Sequence, residues 1–354
     1  VSTDWQAEFE SRRPDYERGC SKMTSLLSDL LLASDIPATI ECRVKSPIGF
    51  ADKVARKGYA TPFVQMTDIV GIRVILRTLA DVQRVAELLA REFEVDWENS
   101  VSKVKQLDPD RFGYLSDHYI LRLKPPRTEL VEWQTFSGMW AEVQVRTIVQ
   151  HAWAAIQHAL DYKSTFDIPK TLRRRLFRLS ALFELADEEL DSIAAGAGEL
   201  LAQYRQQISS NATDIELNLE SIRAYLEESV QVSYWADLIR SWGVEVNPPG
   251  MIARDLEMAR EVGIKTVAEL DDLILCSKSW GEPYLHDYYK NTFGKLPPSG
   301  CSSDVNGIVT LFLIGNYLEV FTDEELPSRW GWGEPQRATV PAKQYNPKYC
   351  NPPA

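Results

Sequence analysis

Residues 1–38 read as helical, because Met23, Leu26, Leu27, Leu30 and Leu31 recur at the i, i+3, i+4 spacing of one helix face. The period then shortens. Thr39 to Val44 reads as a short strand, followed by a helix carrying Lys53, Arg56 and Lys57. From Asp68 to Arg77 the side chains alternate. Ile72, Val74 and Leu76 share one face, and Arg73, Ile75 and Arg77 the other, which predicts a core strand. Asp81 to Phe93 returns to helical spacing through Val82, Val85, Leu88 and Leu89, completing a β-α unit. Asp96 to Asp110 reads as a polar connection, the second half of Phe112–Leu123 as a strand, and residues 125–139 as a loop or hairpin.

Ala141 to Thr147 is the most informative stretch. Glu142, Gln144 and Arg146 alternate with Val143 and Val145. An acceptor, an amide and a cation thus share one side of a strand within about 13 Å, at roughly 3.3 Å per residue. Thr147 is placed to cap a helix carrying Gln150, His151, Trp153, Gln157 and His158. Taken alone, the alternation fits an ordinary edge strand or a site. His151 and His158, with no cysteine or second carboxylate pair nearby in sequence, read as hydrogen-bonded or phosphate-facing rather than as metal ligands.

Pro169 to Gln206 predicts one or two long helices. Lys170, Arg173, Arg174, Arg175 and Arg178 crowd the first turns. They fit either a solvated face balanced by Glu184, Asp187, Glu188 and Glu189, or a contact for an RNA backbone or bound nucleotide. Ser209 to Thr213 reads as a linker. Helices are then predicted over Asp214–Arg240, Met251–Val262, Val267–Leu275, Tyr284–Phe293 and Asn306–Val320. The tail, rich in Pro with Trp330, Trp332, Tyr345 and Tyr349, is predicted to be irregular but docked. The pair His286-Asp287 stands alone and reads as incidental.

Composition narrows the class. The 354 residues, 44% hydrophobic and 25% charged, fit two or three globular domains. No apolar run approaches the roughly 18 residues of a membrane span. The opening Val1-Ser2-Thr3-Asp4-Trp5 lacks the basic and apolar regions of a signal peptide, so a cytoplasmic protein is expected. Five scattered cysteines with no CxxC spacing argue against zinc and predict reduced thiols. A net charge of −12 makes non-specific nucleic-acid binding unfavourable, so local basic clusters stand out.

Arg43, Lys45, Lys53, Arg56 and Lys57 form one such cluster, fitting a polyphosphate site or a solvated helix face. Asp68, at the mouth of a predicted strand, fits a Mg²⁺ ligand near phosphates or a turn residue. Tyr114, after Gly113, fits a stacking platform for a base or a core aromatic.

In order, the chain presents Arg43-x-Lys45 with Lys53, then Asp68-Ile-Val-Gly-Ile-Arg73, then Gly113-Tyr114-x-Ser116-x-His118. Glu142-Val-Gln144-Val-Arg146-Thr147 and Gln150-His151-Ala152-Trp153 follow. This series resembles the synthetase domain of the RelA/SpoT family, the alarmone (p)ppGpp synthetases, and the likeness runs on to Asp187. The resemblance implies an α+β fold, a nucleotidyltransferase-like mixed sheet flanked by helices, over residues 39–208. The chain's own pattern adds helices over 1–38 packed on it and a helical domain over 212–354, expected to be regulatory or inhibitory, in which the family's usual long-form regulatory domains are not recognisable.

The resemblance further implies transfer of the β,γ-pyrophosphate of ATP to a ribose 3′-hydroxyl, with AMP leaving. Asp68 and Glu142 would be catalytic and bind Mg²⁺, Glu142 either sharing the metal or activating the hydroxyl. Arg43, Lys45, Lys53, Arg73 and Arg77 would bind ATP. Tyr114, His118, Gln144, Arg146 and His151 would bind the acceptor. Gly49 stands where many members carry Ser, and Leu115 where many carry Arg. With about 40 residues ahead of this region, no preceding hydrolase domain is expected.

Two readings follow. In the first, GDP or GTP is the acceptor and the product is (p)ppGpp, the stringent-response alarmone. In the second, the chain resembles toxic small synthetases that modify the tRNA 3′ end or make adenosine alarmones, in toxin–antitoxin systems or phage defence. There Lys170 to Arg178 would hold RNA, and the C-terminal region would restrain activity until a protein trigger or antitoxin acts. Oligomerisation is compatible with either reading.

Overall fold

The computed structural model describes residues 5–102, 116–159, 169–294 and 302–350. They fall into two compact units, Val1–Ala194 and Ala195–Ala354. Among the described residues no helix is long and apolar enough to cross a membrane.

The N-terminal unit opens with α1 (Trp5–Ala33), β1 (Ala38–Val44), α2 (Pro47–Lys57) and the short α3 (Pro62–Gln65). It continues through β2 (Val70–Leu76), α4 (Leu79–Glu92), β3 (Phe93–Ser102) and β4 (Asp117–Leu123). After a single turn, α5 (Val131–Gln134), come β5 (Ala141–Thr147), α6 (Ile148–Ala159) and the first part of α7 (Lys170–Ser209), which runs past Ala194 into the second unit. Five strands form one mixed sheet in the order β1-β2-β5-β4-β3. β2 and β5 run parallel, and the other neighbours antiparallel.

The period of two places the core. Ile72 and Val74 of β2, with Val143 and Val145 of β5, are fully buried beside Met23 and Leu27 of α1 and Val85 and Leu89 of α4. The opposite face of the same strands is left to Arg73, Glu142 and Gln144. A second cluster, with Phe9 stacked on Phe50 at 4.4 Å, seats α2 beside α1. β5 is therefore a central strand, and the edge-strand alternative does not hold.

Three further expectations are corrected. Residues 93–102, read in part as a polar connection, form the edge strand β3. Cys20 and Cys42 are disulfide-bonded, so the thiols are not all reduced; Cys276 and Cys350 are free. Cys42 shares the core-facing parity of Ile40 and Val44 on β1, which turns it toward the buried Cys20 of α1. The third correction concerns the tail.

The C-terminal unit contains α8 (Leu219–Glu228), α9 (Val230–Ser241), β6 (Glu245–Asn247), α10 (Ala253–Glu261) and α11 (Val267–Cys276). α12 (Gly281–Phe293), β7 (Ser302–Asp304) and α13 (Asn306–Asn316) complete its centre. Ile308 to Gly315 of α13 are all buried, packed against Trp235, Trp280 and Tyr284. The tail, expected to be irregular, forms α14 (Glu325–Trp330), α15 (Gln336–Tyr345) and α16 (Pro347–Cys350). It is docked as expected: Trp330, Ala338 and Ala342 are buried, and the Tyr345 hydroxyl donates to Asp287 at 2.7 Å.

Candidate active site

β1 passes directly into α2. Ser46 ends the strand and caps the helix, its hydroxyl accepting from the Gly49 amide at 3.1 Å, with Pro47 at the first helical position. This junction puts Lys45 before the helix and Lys53 within it, both against Asp68. Both ammonium groups reach Asp68 Oδ2, at 3.0 Å and 2.7 Å. Asp68 Oδ1 is buried and has no hydrogen-bond partner among the described residues.

Cross-strand register assembles the rest. Glu41 lies opposite Arg73, which bonds it at 3.2 Å, and Arg43 lies opposite Gly71. Gly71 in turn pairs with Glu142, and Arg73 with Gln144. A side chain at 71 would come into van der Waals contact with Arg43, so glycine keeps the floor between Arg43 and Glu142 low. Arg43, Lys45, Asp68, Arg73, Glu142 and Gln144 all line one cavity of about 630 Å³.

Glu142 is tightly held. Its Oε1 lies 2.7 Å from His118 Nδ1 and accepts from Gln144 Nε2 at 3.1 Å; His118 Nε2 lies 2.9 Å from the Ser116 hydroxyl. Burial raises the Glu142 pKa. The hydrogen bonds from His118 and Gln144, with the charges of His118 and Lys53, outweigh that and hold it at about 2. Glu142 is thus ionised throughout the neutral range.

Arg146 continues the polar row of β5. It is only 5% exposed, and its Nε has no partner among the described residues. Burial lowers its pKa, followed by the nearby charge of Arg73; Glu41 opposes this. His151 follows on α6, its pKa lowered by burial and then by Arg146. The cap at this junction is reciprocal: Gln150 N donates to Thr147 Oγ1 at 3.0 Å, and Thr147 N donates to Gln150 Oε1 at 2.9 Å.

The expected residues therefore gather in part. Arg43, Lys45, Asp68, Arg73, Glu142 and Gln144 line the cavity, with Lys53 and His118 bonded to its carboxylates. Arg146 and His151 lie next to Arg73 at the end of β5. Arg77 follows the end of β2, exposed and outside the cavity lining. Tyr114 lies outside the described residues, as do the side chains of His158, Lys170 and Arg173. Arg174, Arg175 and Arg178 are exposed on α7. Sequence reasoning passed over Glu41, although its spacing of two from Arg43 places both on one face of β1. It also passed over the bond between Asp187 Oδ2 and the Thr147 hydroxyl, 2.7 Å.

A family profile described as "Region found in RelA / SpoT proteins" matches residues 42–167. The chain is 30% identical over 172 residues to GTP pyrophosphokinase YjbM of Bacillus subtilis (strain 168), covering 47% of this chain and 75% of that protein. This chain belongs to the RelA/SpoT family. A second RelA/SpoT relative, GTP pyrophosphokinase YwaC of the same organism, is 30% identical over 154 residues, covering 42% of this chain and 69% of the relative. Among solved structures, the small alarmone synthetase 1 from Bacillus subtilis is similar at a TM-score of 0.45 and 25% identity, over 54% of this chain and 98% of that one. The matched RelA/SpoT region contains every residue that lines the cavity except Glu41.

Proposed function

We propose that this RelA/SpoT enzyme, an ATP-dependent pyrophosphokinase, uses GDP or GTP as acceptor and makes (p)ppGpp. The acceptor's 3′-oxygen attacks the β-phosphorus of ATP. The bond from the β-phosphorus to the oxygen bridging to the α-phosphate breaks, AMP leaves, and the hydroxyl proton passes to water. The observation that carries this reading is the pairing of Asp68, gripped by Lys45 and Lys53, with Glu142 in the same cavity. Lys45, Lys53 and Arg43 bind the triphosphate and spread its charge as the bond breaks. Arg43 and Arg73, neighbours across the β1–β2 pair, hold adenine between them. Gln144, His118, Arg146 and His151 form the acceptor side with Tyr114, and holding the 3′-hydroxyl in line is itself a large part of catalysis.

The carboxylates suit a hard cation. Asp68 keeps a buried oxygen free of any partner, and Glu142 is ionised. Two carboxylates completed by substrate phosphates and water are a donor set typical of Mg²⁺. Such an ion would supply charge neutralisation at the β,γ-phosphates. The low proton affinity of Glu142 favours sharing that ion over acting as the base.

The deciding experiment is incubation with ATP labelled at the γ-phosphate, together with GDP, GTP, ATP or tRNA. Label in a guanosine pentaphosphate or tetraphosphate supports the reading; label confined to tRNA or an adenosine product overturns it. The exposed Arg174, Arg175 and Arg178 favour a second reading, in which an RNA 3′ end is the acceptor and the C-terminal unit restrains the toxic activity. Under that reading, Arg174, Arg175 and Arg178 changed together to Glu abolish labelling of tRNA. Ending the chain at residue 210 then raises toxicity on expression.

A further inference from the structure

One stripe of α7 meets three different elements in three successive turns. Ser180 is buried at its start. Phe183 packs edge-on against Trp153 of α6, with ring centroids 5.7 Å apart. Asp187 accepts from the Thr147 hydroxyl where β5 ends. Asp191 accepts from the Ala80 amide at 2.8 Å, at the start of α4. The spacing of four residues keeps 183, 187 and 191 on one face.

Asp187 is the costly member of the stripe. It is 1% exposed, Thr147 donates to its Oδ2, and among the described residues its Oδ1 has no donor. An apolar side chain would fill such a place more cheaply, since a buried carboxyl with unmet lone pairs opposes folding. What the carboxyl supplies is direction. The Thr147 hydroxyl accepts from Gln150 N while it donates to Asp187, so its rotamer is fixed from both sides. Thr147 sits between Arg146 on the site face of β5 and His151 in the first turn of α6. Fixing Thr147 therefore fixes the angle at which the strand hands over to the helix.

We infer that Asp187 is a positioning residue for pyrophosphate transfer, acting through Thr147 to hold Arg146 and His151 toward the acceptor. The inference rests on the proposed reaction for its substrate, and on the Asp187–Thr147–Gln150 chain for its geometry. Its reach is confined to the acceptor side, because Lys45, Lys53 and Asp68 are carried by the β1–α2 junction and the entry to β2.

The test uses the full chain with Asp187→Ala, Asp187→Asn, Thr147→Val and Thr147→Ser, each measured for initial rates against GDP and against ATP, and for thermal unfolding. Asp187→Ala and Thr147→Val are expected to raise the KM for GDP about tenfold while the KM for ATP stays within about twofold. Asp187→Asn keeps an acceptor oxygen and Thr147→Ser keeps the hydroxyl, so both restore GDP kinetics to within about threefold. The double change Asp187→Ala with Thr147→Val is no worse than either single one, because both cut the same link. Wild-type constants in Asp187→Ala overturn the inference. So does an equal loss for ATP and GDP that tracks a lowered melting temperature and is not rescued by Asp187→Asn. If Asp187→Ala does not fold, the Thr147→Val and Thr147→Ser pair decides by the same comparison. If the wild type transfers no pyrophosphate, the proposed reaction fails by itself. The positioning is then read from GDP affinity by calorimetry, where unchanged affinity in Thr147→Val overturns it and a rescued loss supports it.

Discussion

Asp68 in the N-terminal unit and Asp255 in the C-terminal unit are both carboxylates drawn away from water, and they are used in opposite ways. Asp255 is wholly buried with both oxygens occupied, one by the Thr310 hydroxyl and the other by Asn306 Nδ2 at 2.8 Å. Burial raises its pKa despite those bonds. Asp68 instead crowds two ammonium groups onto one oxygen and leaves the other without a partner. A carboxylate with both oxygens bonded from within the fold is scaffold. One with cations on one side and an unanswered oxygen on the other is prepared for something that arrives.

The largest effect that can break this contrast is at Glu142. Glu142→Gln should lower labelled-product formation about a thousandfold, with the melting temperature nearly unchanged; a variant as active as wild type would remove the mechanism. The reverse behaviour is expected at Asp255. Asp255→Ala strands the Asn306 and Thr310 donors and should cost about 3 kcal/mol in urea unfolding, while the kcat of the protein still folded is preserved. Equal damage to kcat and stability there would erase the distinction between scaffold and site.

Asp187 tests the middle ground. Burial, then the charge of Asp191, pushes its carboxyl up to about 7. The folded chain therefore keeps a proton that the unfolded chain loses near 4, so stability falls as pH rises from about 4 to about 7 and is level above that. Asp187→Asn should flatten this part of the stability–pH curve in chemical denaturation; an unchanged slope would show that the group does not titrate there. The smallest effect is expected for Lys53→Met. It leaves Asp68 with Lys45, and should raise the KM for ATP about tenfold without altering that for the acceptor.

Much of this contrast was legible in the chain. Parity alone separated Ile72, Val74 and Leu76 from Arg73, and Val143 and Val145 from Glu142 and Gln144, because a strand has only two faces. Thr147 could be read as a cap from its position before an apolar run. β3 escaped because α4 passes into it at Phe93 with no turn residue between, and its ladder is irregular between Asp96 and Val101. The tail was misread through its prolines. Pro327 falls in the first turn of α14, Pro335 just ahead of α15 and Pro347 at the start of α16, places where a missing amide hydrogen costs nothing, whereas Pro341 sits inside α15 and withholds one amide from its ladder. The Cys20–Cys42 bond and the Asp187–Thr147 bond join residues far apart in sequence, and no local period announces them.

The parallel register of β2 and β5 bears on which changes in chain length such a protein can survive. Gly71 faces Glu142 and Arg73 faces Gln144 because both strands keep step. One residue inserted into β5 ahead of Glu142 would turn the two valines into the cavity and drive Glu142 and Gln144 into the apolar core, reversing the roles of the faces at a stroke. A residue inserted in the connection over 124–140 would shift no parity at all. Drift in length among related chains is therefore expected to collect in such connections, while the two strands keep their residue count even where their side chains change.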